Sequence, residues 1–233
     1  MAYGLPSIIL VRPRNPLNIG AAARAMANFG FDDLRVVAPH PPVWAEALRA
    51  APGAERLLKK AKLFATLREA VADRTEVLAT SCMSRRARAL PAQSVKGLRP
   101  RAAGAVVFGP EKSGLSAADL AYCGGIVSIP TVADCPSMNL GQSVAVFCWE
   151  LVRAGPQPFR EGAPAAVDDL ERIIERCDQA LARIGYRGLM DPQVRRNRVR
   201  RILLRRGLLK GEAGMLYEIL RRILDKPVWG PKP

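Results

Sequence analysis

A single histidine stands among the 233 residues, and aromatic side chains make up only 6% of them. His40 falls in the turn-like stretch Pro39-His40-Pro41-Pro42. Any scheme that needs a His–Asp or His–Cys pair therefore has one candidate, placed by its neighbours in a surface loop. No apolar run approaches the ~18 residues of a spanning helix, and Ile8–Val11 is too short for a signal-peptide core. The cysteines, Cys82, Cys123, Cys135, Cys148 and Cys177, are odd in number and never adopt Cys-x-x-Cys spacing. That argues against a disulfide framework and against a zinc site, so no metal is expected. Together these absences describe a soluble cytoplasmic protein without a membrane partner. At 49% hydrophobic and 24% charged residues the chain is ordinary globular material, which excludes disorder and low-complexity scaffolds.

Positive charge is what the sequence has in excess. Lys and Arg number 36 against 21 Asp and Glu, a net +15, with a pI near 10.4. Such a balance points first to phosphate-rich partners and second to an anionic membrane surface. The second is disfavoured because no Trp or Phe lines a face opposite the basic residues.

Up to about residue 154 short β-branched runs alternate with helical stretches, the pattern of a mostly parallel sheet covered by helices. Ser7–Val11, Leu34–Ala38, Lys62–Ala65, Val77–Ser81, Ala105–Phe108 and Ile126–Ile129 read as strands. Ile19–Phe29, Thr66–Ala72, Ser116–Tyr122 and Asn139–Arg153 read as helices. Gly155-Pro156-Gln157-Pro158 and Gly162-Ala163-Pro164 break both periods, so 155–165 is expected to be a linker. From Val167, apolar residues at three- and four-residue steps predict an amphipathic helix. Asp191-Pro192 and Gly207 then frame a second helix, and Leu216, Ile219, Leu220, Ile223 and Leu224 form the stripe of a third. Seven arginines crowd the middle helix: Arg195, Arg196, Arg198, Arg200, Arg201, Arg205 and Arg206. Like charges so spaced need counter-charge, and RNA phosphates would supply it. Residues 166–233 therefore read as a basic helical extension for RNA binding, dimerisation or both, and the first domain is expected to fold without it.

Three segments do not read as plain core. Asn15-Pro16-Leu17-Asn18-Ile19-Gly20-Ala21-Ala22-Ala23-Arg24 leaves a strand end, where open α/β sheets bind ligands, and enters a helix of small residues that another chain or a ligand could approach closely. Taken alone it is also a capped helix with one solvated arginine. Phe108-Gly109-Pro110-Glu111-Lys112-Ser113-Gly114 follows another strand. It lacks the Gly-Lys-Ser/Thr order of a phosphate-binding loop, which excludes a nucleoside triphosphatase of that type. Ile129-Pro130-Thr131, then Ser137-Met138-Asn139-Leu140-Gly141, forms a stretched loop into a helix that Asn139 could simply cap.

In combination, Asn18, Gly20 and Arg24, then Gly109, Glu111 and Gly114, then Ser137 and Asn139 resemble the three motifs of the SpoU branch of the SPOUT superfamily. These are RNA ribose 2′-O-methyltransferases that use S-adenosylmethionine. The resemblance covers about residues 6–153, with Met138 where the family more often has Leu, a volume-conserving change. It implies an α/β domain over 1–154 with a deep trefoil knot at its C-terminal end, followed by a small all-helical extension, and a homodimer. It implies that Phe108, Gly109, Glu111, Gly114, Ile129, Pro130, Thr131, Ser137, Met138, Asn139 and Leu140 hold the cofactor. Catalysis would fall to Arg24, Asn18, Glu111, Ser137 and Asn139, with Arg24 acting in its own chain or across the dimer. A guanidinium is an implausible base, so Arg24 is expected to stabilise charge, while Glu111, a phosphate oxygen or water takes the proton. The basic extension resembles the subgroup acting on tRNA at the anticodon-loop pyrimidine of position thirty-two. Ribosomal RNA is the alternative substrate, and a non-catalytic RNA-binding protein on the same fold the alternative class.

Overall fold

The computed structural model describes residues 5–40, 44–81, 90–99, 103–155, 162–186 and 190–225. Cys82, Pro41, Pro42 and residues 156–161 of the expected linker lie outside them. The strands are β1 (Ser7–Val11), β2 (Leu34–Val37), β3 (Lys62–Phe64), β4 (Glu76–Thr80), β5 (Ala92–Ser94), β6 (Gly104–Phe108) and β7 (Gly125–Ser128). They form one sheet in the order β3-β2-β1-β6-β4-β7-β5, and every pairing is parallel. In register, Ile8 faces Leu34 on one side and Val106 on the other.

β1, β2 and β6 are buried along their whole length because helices cover both faces of the sheet. The two-residue period of a strand then divides the core in two. Ile8, Leu10, Val36, Val106 and Phe108 pack under α1 (Pro16–Asn28), α2 (Trp44–Arg49), α3 (Glu55–Lys60) and α6 (Leu140–Ala154). Ile9, Val11, Val37, Val107 and Ile126 pack under α4 (Leu67–Val71) and α5 (Ala117–Leu120).

Four elements depart from the sequence reading. β5 is an exposed edge strand of Ala92, Gln93 and Ser94, whose pairing to β7 leaves no hydrophobic period to detect. α2 and α3 are six residues each, shorter than the window over which helical periodicity is legible. α1 begins at Pro16, capped by the Asn15 side chain, so Asn18 sits inside the helix and not in a loop before it. Two small residues of α1, Gly20 and Ala21, are packed closely within the chain. A Cβ on Gly20 would lie 2.1 Å from the Ala47 carbonyl oxygen of α2, and one on Gly141 of α6 would lie 2.6 Å from Ala21 Cβ. The close approach they permit is used within the chain.

The C-terminal helices are α7 (Val167–Arg183), α8 (Pro192–Arg206) and α9 (Lys210–Asp225). α8 opens on the Asp191 side-chain cap with Pro192 at its first position and closes on Gly207 at φ +60, as the sequence predicts. Ala165, Leu170, Ile173 and Ala213 form a small core of their own. This unit is docked on the α/β domain: Val167 is buried in the sheet-face core, its amide donates to the Arg74 carbonyl at 2.8 Å, and that of Asp168 to Ala72 at 3.0 Å. Among the described residues no helix is long and apolar enough to cross a membrane.

Candidate active site

Beyond the carboxyl ends of β4, β6 and β7 the sheet opens into a cleft of about 480 Å³. Strand ends are where α/β sheets bind ligands, and the volume falls in the range that small-molecule ligands occupy. The loop after β6 forms one wall. Gly114 takes φ +64, and its amide donates to the Pro110 carbonyl at 2.8 Å, closing a tight turn. A Cβ on Gly109 would lie 2.6 Å from the Leu115 nitrogen, so the loop folds back on itself only with glycine there. At its far end Ser116 and Asp119 form a capping box that starts α5. Apolar side chains floor the cleft, where Phe108 and Phe147 meet edge to face at 5.3 Å.

At the mouth three distant segments converge. Asn18 Nδ2 donates to Glu111 Oε1 at 2.7 Å. Asn139 Nδ2 donates to Asn18 Oδ1 at 2.9 Å, and Asn139 Oδ1 accepts from the Gly141 amide at 2.9 Å, capping α6. One residue from each sequence motif thus joins a single hydrogen-bonded chain, spanning 93 and 121 positions of sequence. The cap expected of Asn139 and its place in this chain use different atoms of one carboxamide. A second tie lies behind it: Arg12, at the end of β1, makes a two-bond ion pair with Asp119 of α5, with Nη1 to Oδ1 at 3.2 Å. Burial works to raise the Asp119 carboxyl, but Arg12 and then Ser116 hold it below its ordinary value.

Of the residues expected to hold a cofactor, Phe108, Gly109, Glu111, Gly114, Ile129, Thr131, Ser137, Met138 and Leu140 line the cleft. Pro130 and Asn139 do not line it; Pro130 lies between two that do. Thr80 and Ser81 at the end of β4 and Ser143, one turn into α6, also line it and were not expected. The strand-end rule could have found the first two, and the helical step from Asn139 the third. Arg24 is exposed on α1, outside the cleft lining and without a hydrogen-bond or ion-pair partner among the described residues.

Burial pushes the Cys148 thiol up to about 12 and that of Cys123 higher still, which keeps these two protonated. No cluster of side chains among the described residues could hold a metal ion.

The arginines of α8 do not form one phosphate-binding face. Arg200 is 4% exposed, paired through two bonds with Glu171 of α7 and stacked 4.4 Å above the Tyr122 ring. Arg195 and Arg196 both pair with Asp178. α7 therefore supplies the counter-charge for these three. Arg201 is half-buried and donates to the Asn197 carbonyl, which leaves Arg198, Arg205 and Arg206 facing solvent.

Comparison with known proteins agrees with this geometry. The SpoU rRNA Methylase family matches residues 6–149. The chain is 38% identical over 178 residues to the uncharacterized tRNA/rRNA methyltransferase LasT of Escherichia coli, covering 73% of this chain and 78% of that one. It is 30% identical to the tRNA (cytidine/uridine/adenosine-2′-O-)-methyltransferase TrmJ of Pseudomonas aeruginosa, covering 91% of each. The crystal structure of TrmJ from Zymomonas mobilis superposes with a TM-score of 0.82 at 33% identity, covering 94% of this chain and 99% of that one. Its three motifs brought to one cleft and its match over the whole α/β domain show that the chain belongs to the SpoU rRNA Methylase family.

Proposed function

We propose that the protein transfers a methyl group from S-adenosylmethionine to a ribose 2′-hydroxyl of tRNA, at the anticodon-loop pyrimidine of position thirty-two. The observation that carries this reading is the joining of Asn18, Glu111 and Asn139 at the mouth of a strand-end cleft. The tRNA 2′-O-methyltransferase named in Pseudomonas aeruginosa supports the substrate class.

The cleft fits the cofactor in volume, in its apolar floor of Phe108, Leu115, Leu140 and Phe147, and in the backbone presented by the glycine-pinned loop. Phe108 to Gly114, Ile129 to Thr131 and Ser137 to Leu140 would hold it. When bound, S-adenosylmethionine supplies a methyl group on a positively charged sulfur. Asn18, Ser137 and Asn139 keep the substrate ribose in register, because in-line attack on the methyl tolerates little displacement. Glu111, anchored by Asn18, is the carboxylate in place to accept the hydroxyl proton. Arg24, permanently charged, binds the adjacent phosphate and offsets the charge that develops on the oxygen. The knot of the family accords with cleft walls drawn from three segments that lie far apart in sequence.

Arg24 stands outside its own chain's cleft, so the site is read as completed in a homodimer. The exposed Trp149 and Val152 of α6, with Phe29 tilted against Trp149 at 6.0 Å between ring centres, are the face suited to it. The exposed Arg198, Arg205 and Arg206 are the tail's phosphate contacts, and cytoplasmic RNA the setting.

Incubation with S-adenosylmethionine and total small RNA, followed by nucleoside mass spectrometry and site mapping, tests the reading. A 2′-O-methylated pyrimidine at position thirty-two is expected. Methylation of ribosomal RNA alone, or of another tRNA position, replaces the substrate, and no methylation of any RNA overturns the enzyme. Arg24→Ala is expected to abolish turnover while cofactor affinity stays within a few fold; normal turnover removes Arg24 from the mechanism.

A further inference from the structure

Arg12 is one of three non-glycine residues at positive φ among the described residues, at φ +47. A side chain kept in that region has usually a reason to be there. Its backbone carries on the pairing of β1 with β2, with its amide donating to the Val37 carbonyl at 2.8 Å, and its guanidinium reaches Asp119 through two bonds. Asp119 is nearly buried and also accepts from the Ser116 amide at 2.8 Å and the Ser116 hydroxyl at 2.6 Å. This carboxylate therefore fastens three things at one point: the start of α5, the end of the loop 109–116, and the end of β1. From β1 the chain runs directly into Asn15 and Asn18.

We infer that the Arg12–Asp119 pair is a positioning element that sets the cofactor loop 109–116 against the Asn18 segment, so that Glu111 and Asn18 meet at the cleft mouth. The inference rests on the reading of the cleft as a cofactor site. The Asn18–Glu111 bond is exposed to water and is weak on its own, whereas a two-bond pair with one partner buried resists competition from solvent. The capping box survives the loss of Arg12, because both Ser116 donors remain on Asp119. Removing Arg12 should thus leave α5 formed but free the loop to shift against β1. Arg12 is not placed against the substrate or the cofactor; it acts through the loop.

Position 12 offers a variant that separates positioning from folding. Glycine is at ease at φ +47, so Arg12→Gly relieves the backbone while it deletes the guanidinium. Arg12→Lys keeps the charge but loses the two-bond fork. In Arg12→Gly protein without ligand, amide exchange across residues 110–116 is expected to accelerate about tenfold, with exchange in β1 and α6 unchanged and the melting temperature within a few degrees of the parent. S-adenosylhomocysteine, titrated by calorimetry, is expected to bind about tenfold more weakly, roughly the effect of one lost charge-assisted contact. KM for S-adenosylmethionine should rise in step while kcat falls less, and Arg12→Lys should lie between. Unchanged exchange in 110–116 overturns the tie. Accelerated exchange with S-adenosylhomocysteine affinity unchanged within twofold overturns its role toward the cofactor. A drop in affinity that merely tracks a lower melting temperature in both variants makes the pair a fold element and overturns positioning. Parent protein that does not bind S-adenosylhomocysteine overturns the cofactor reading itself, and this inference with it.

Discussion

The Asn18 carboxamide donates to Glu111 and accepts from Asn139, and only one orientation of the group allows both. Turned over, it would set oxygen against a carboxylate and nitrogen against nitrogen. Asn18→Asp keeps the shape but replaces the donor with a second carboxylate beside Glu111. Near neutral pH the two like charges repel, and methyl transfer is expected to fall by about 10²-fold. Single-turnover kinetics at neutral pH will read the loss. A second polar cluster lies at the opposite, amino-terminal ends of the strands. Arg35 is 2% exposed and bonds Asp33, Asp73 and the Ala70 carbonyl. Burial works to raise both carboxyls, but Arg35, with Ser7 for Asp33 and Arg74 for Asp73, holds them below the ordinary value. A depressed carboxylate pKa contributes stability that is complete above the unfolded value, about 4, and is lost as pH falls below it. Thermal unfolding should therefore be flat with respect to these groups from pH 5 to 7 and steep below 4. Arg35→Met should cost about 2 kcal/mol at pH 7 and flatten that acid limb, less than a wholly buried pair because Asp73 faces solvent.

Among the elements, α1 carries the most constraint per residue. One of its faces lies under α6, another against α2, and its N-terminal turn carries Asn18 to the cleft. Gly20→Ala would drive a methyl group into the Ala47 carbonyl, a backbone atom that cannot rotate away. Destabilisation of about 2–3 kcal/mol is expected from chemical denaturation, with some loss of activity because Asn18 is displaced with the helix. Gly211→Ala of α9, where a Cβ meets nothing within 4 Å, serves as the matched control and should be neutral or slightly stabilising. α8 shows the same division of labour in charged residues. Arg195, Arg196 and Arg200 pair with α7 while Arg198, Arg205 and Arg206 face water, which is why a helix with so many positive charges holds together without a ligand.

For the molecule as a whole, the extension is both a fold element and a basic surface. Val167 and Leu204 pack on the α4–α5 face, and Arg200 spans to Tyr122 beside α5. A chain ending at Gly155 uncovers that face, so the first domain alone should be less stable than the intact chain by roughly 3 kcal/mol or more, and thermal unfolding of the truncated protein tests whether it still folds without the extension. Point substitutions distinguish the two roles in the intact chain. Arg198→Ala with Arg205→Ala and Arg206→Ala should weaken tRNA binding and make its salt dependence shallower, with the melting temperature unchanged. Arg200→Met should lower the melting temperature and leave the salt slope as it was. The reverse pattern would make Arg200 the phosphate contact.

Local rules reached far into this protein. Strands that run apolar along their length announced a parallel sheet with both faces covered, and Asp191-Pro192 and Gly207 marked the ends of α8 because caps and φ preferences are written in one or two neighbouring residues, whereas the start of α1 at Pro16 was missed. The residues of the three motifs were legible as types, an amide, a carboxylate and a second amide in polar loops at strand ends. What no local rule contains is which atoms meet. That Asn18 bridges Glu111 and Asn139, that Gly20 serves α2 and not a partner chain, and that Arg200 is buried while Arg198 is not, each depends on contacts between residues tens of positions apart. Side-chain chemistry sets what a residue can bond to, and its neighbours in sequence set the element it occupies. The partner itself is set by strand order and helix packing, which sum weak preferences over the whole chain, so only the tertiary structure decided them.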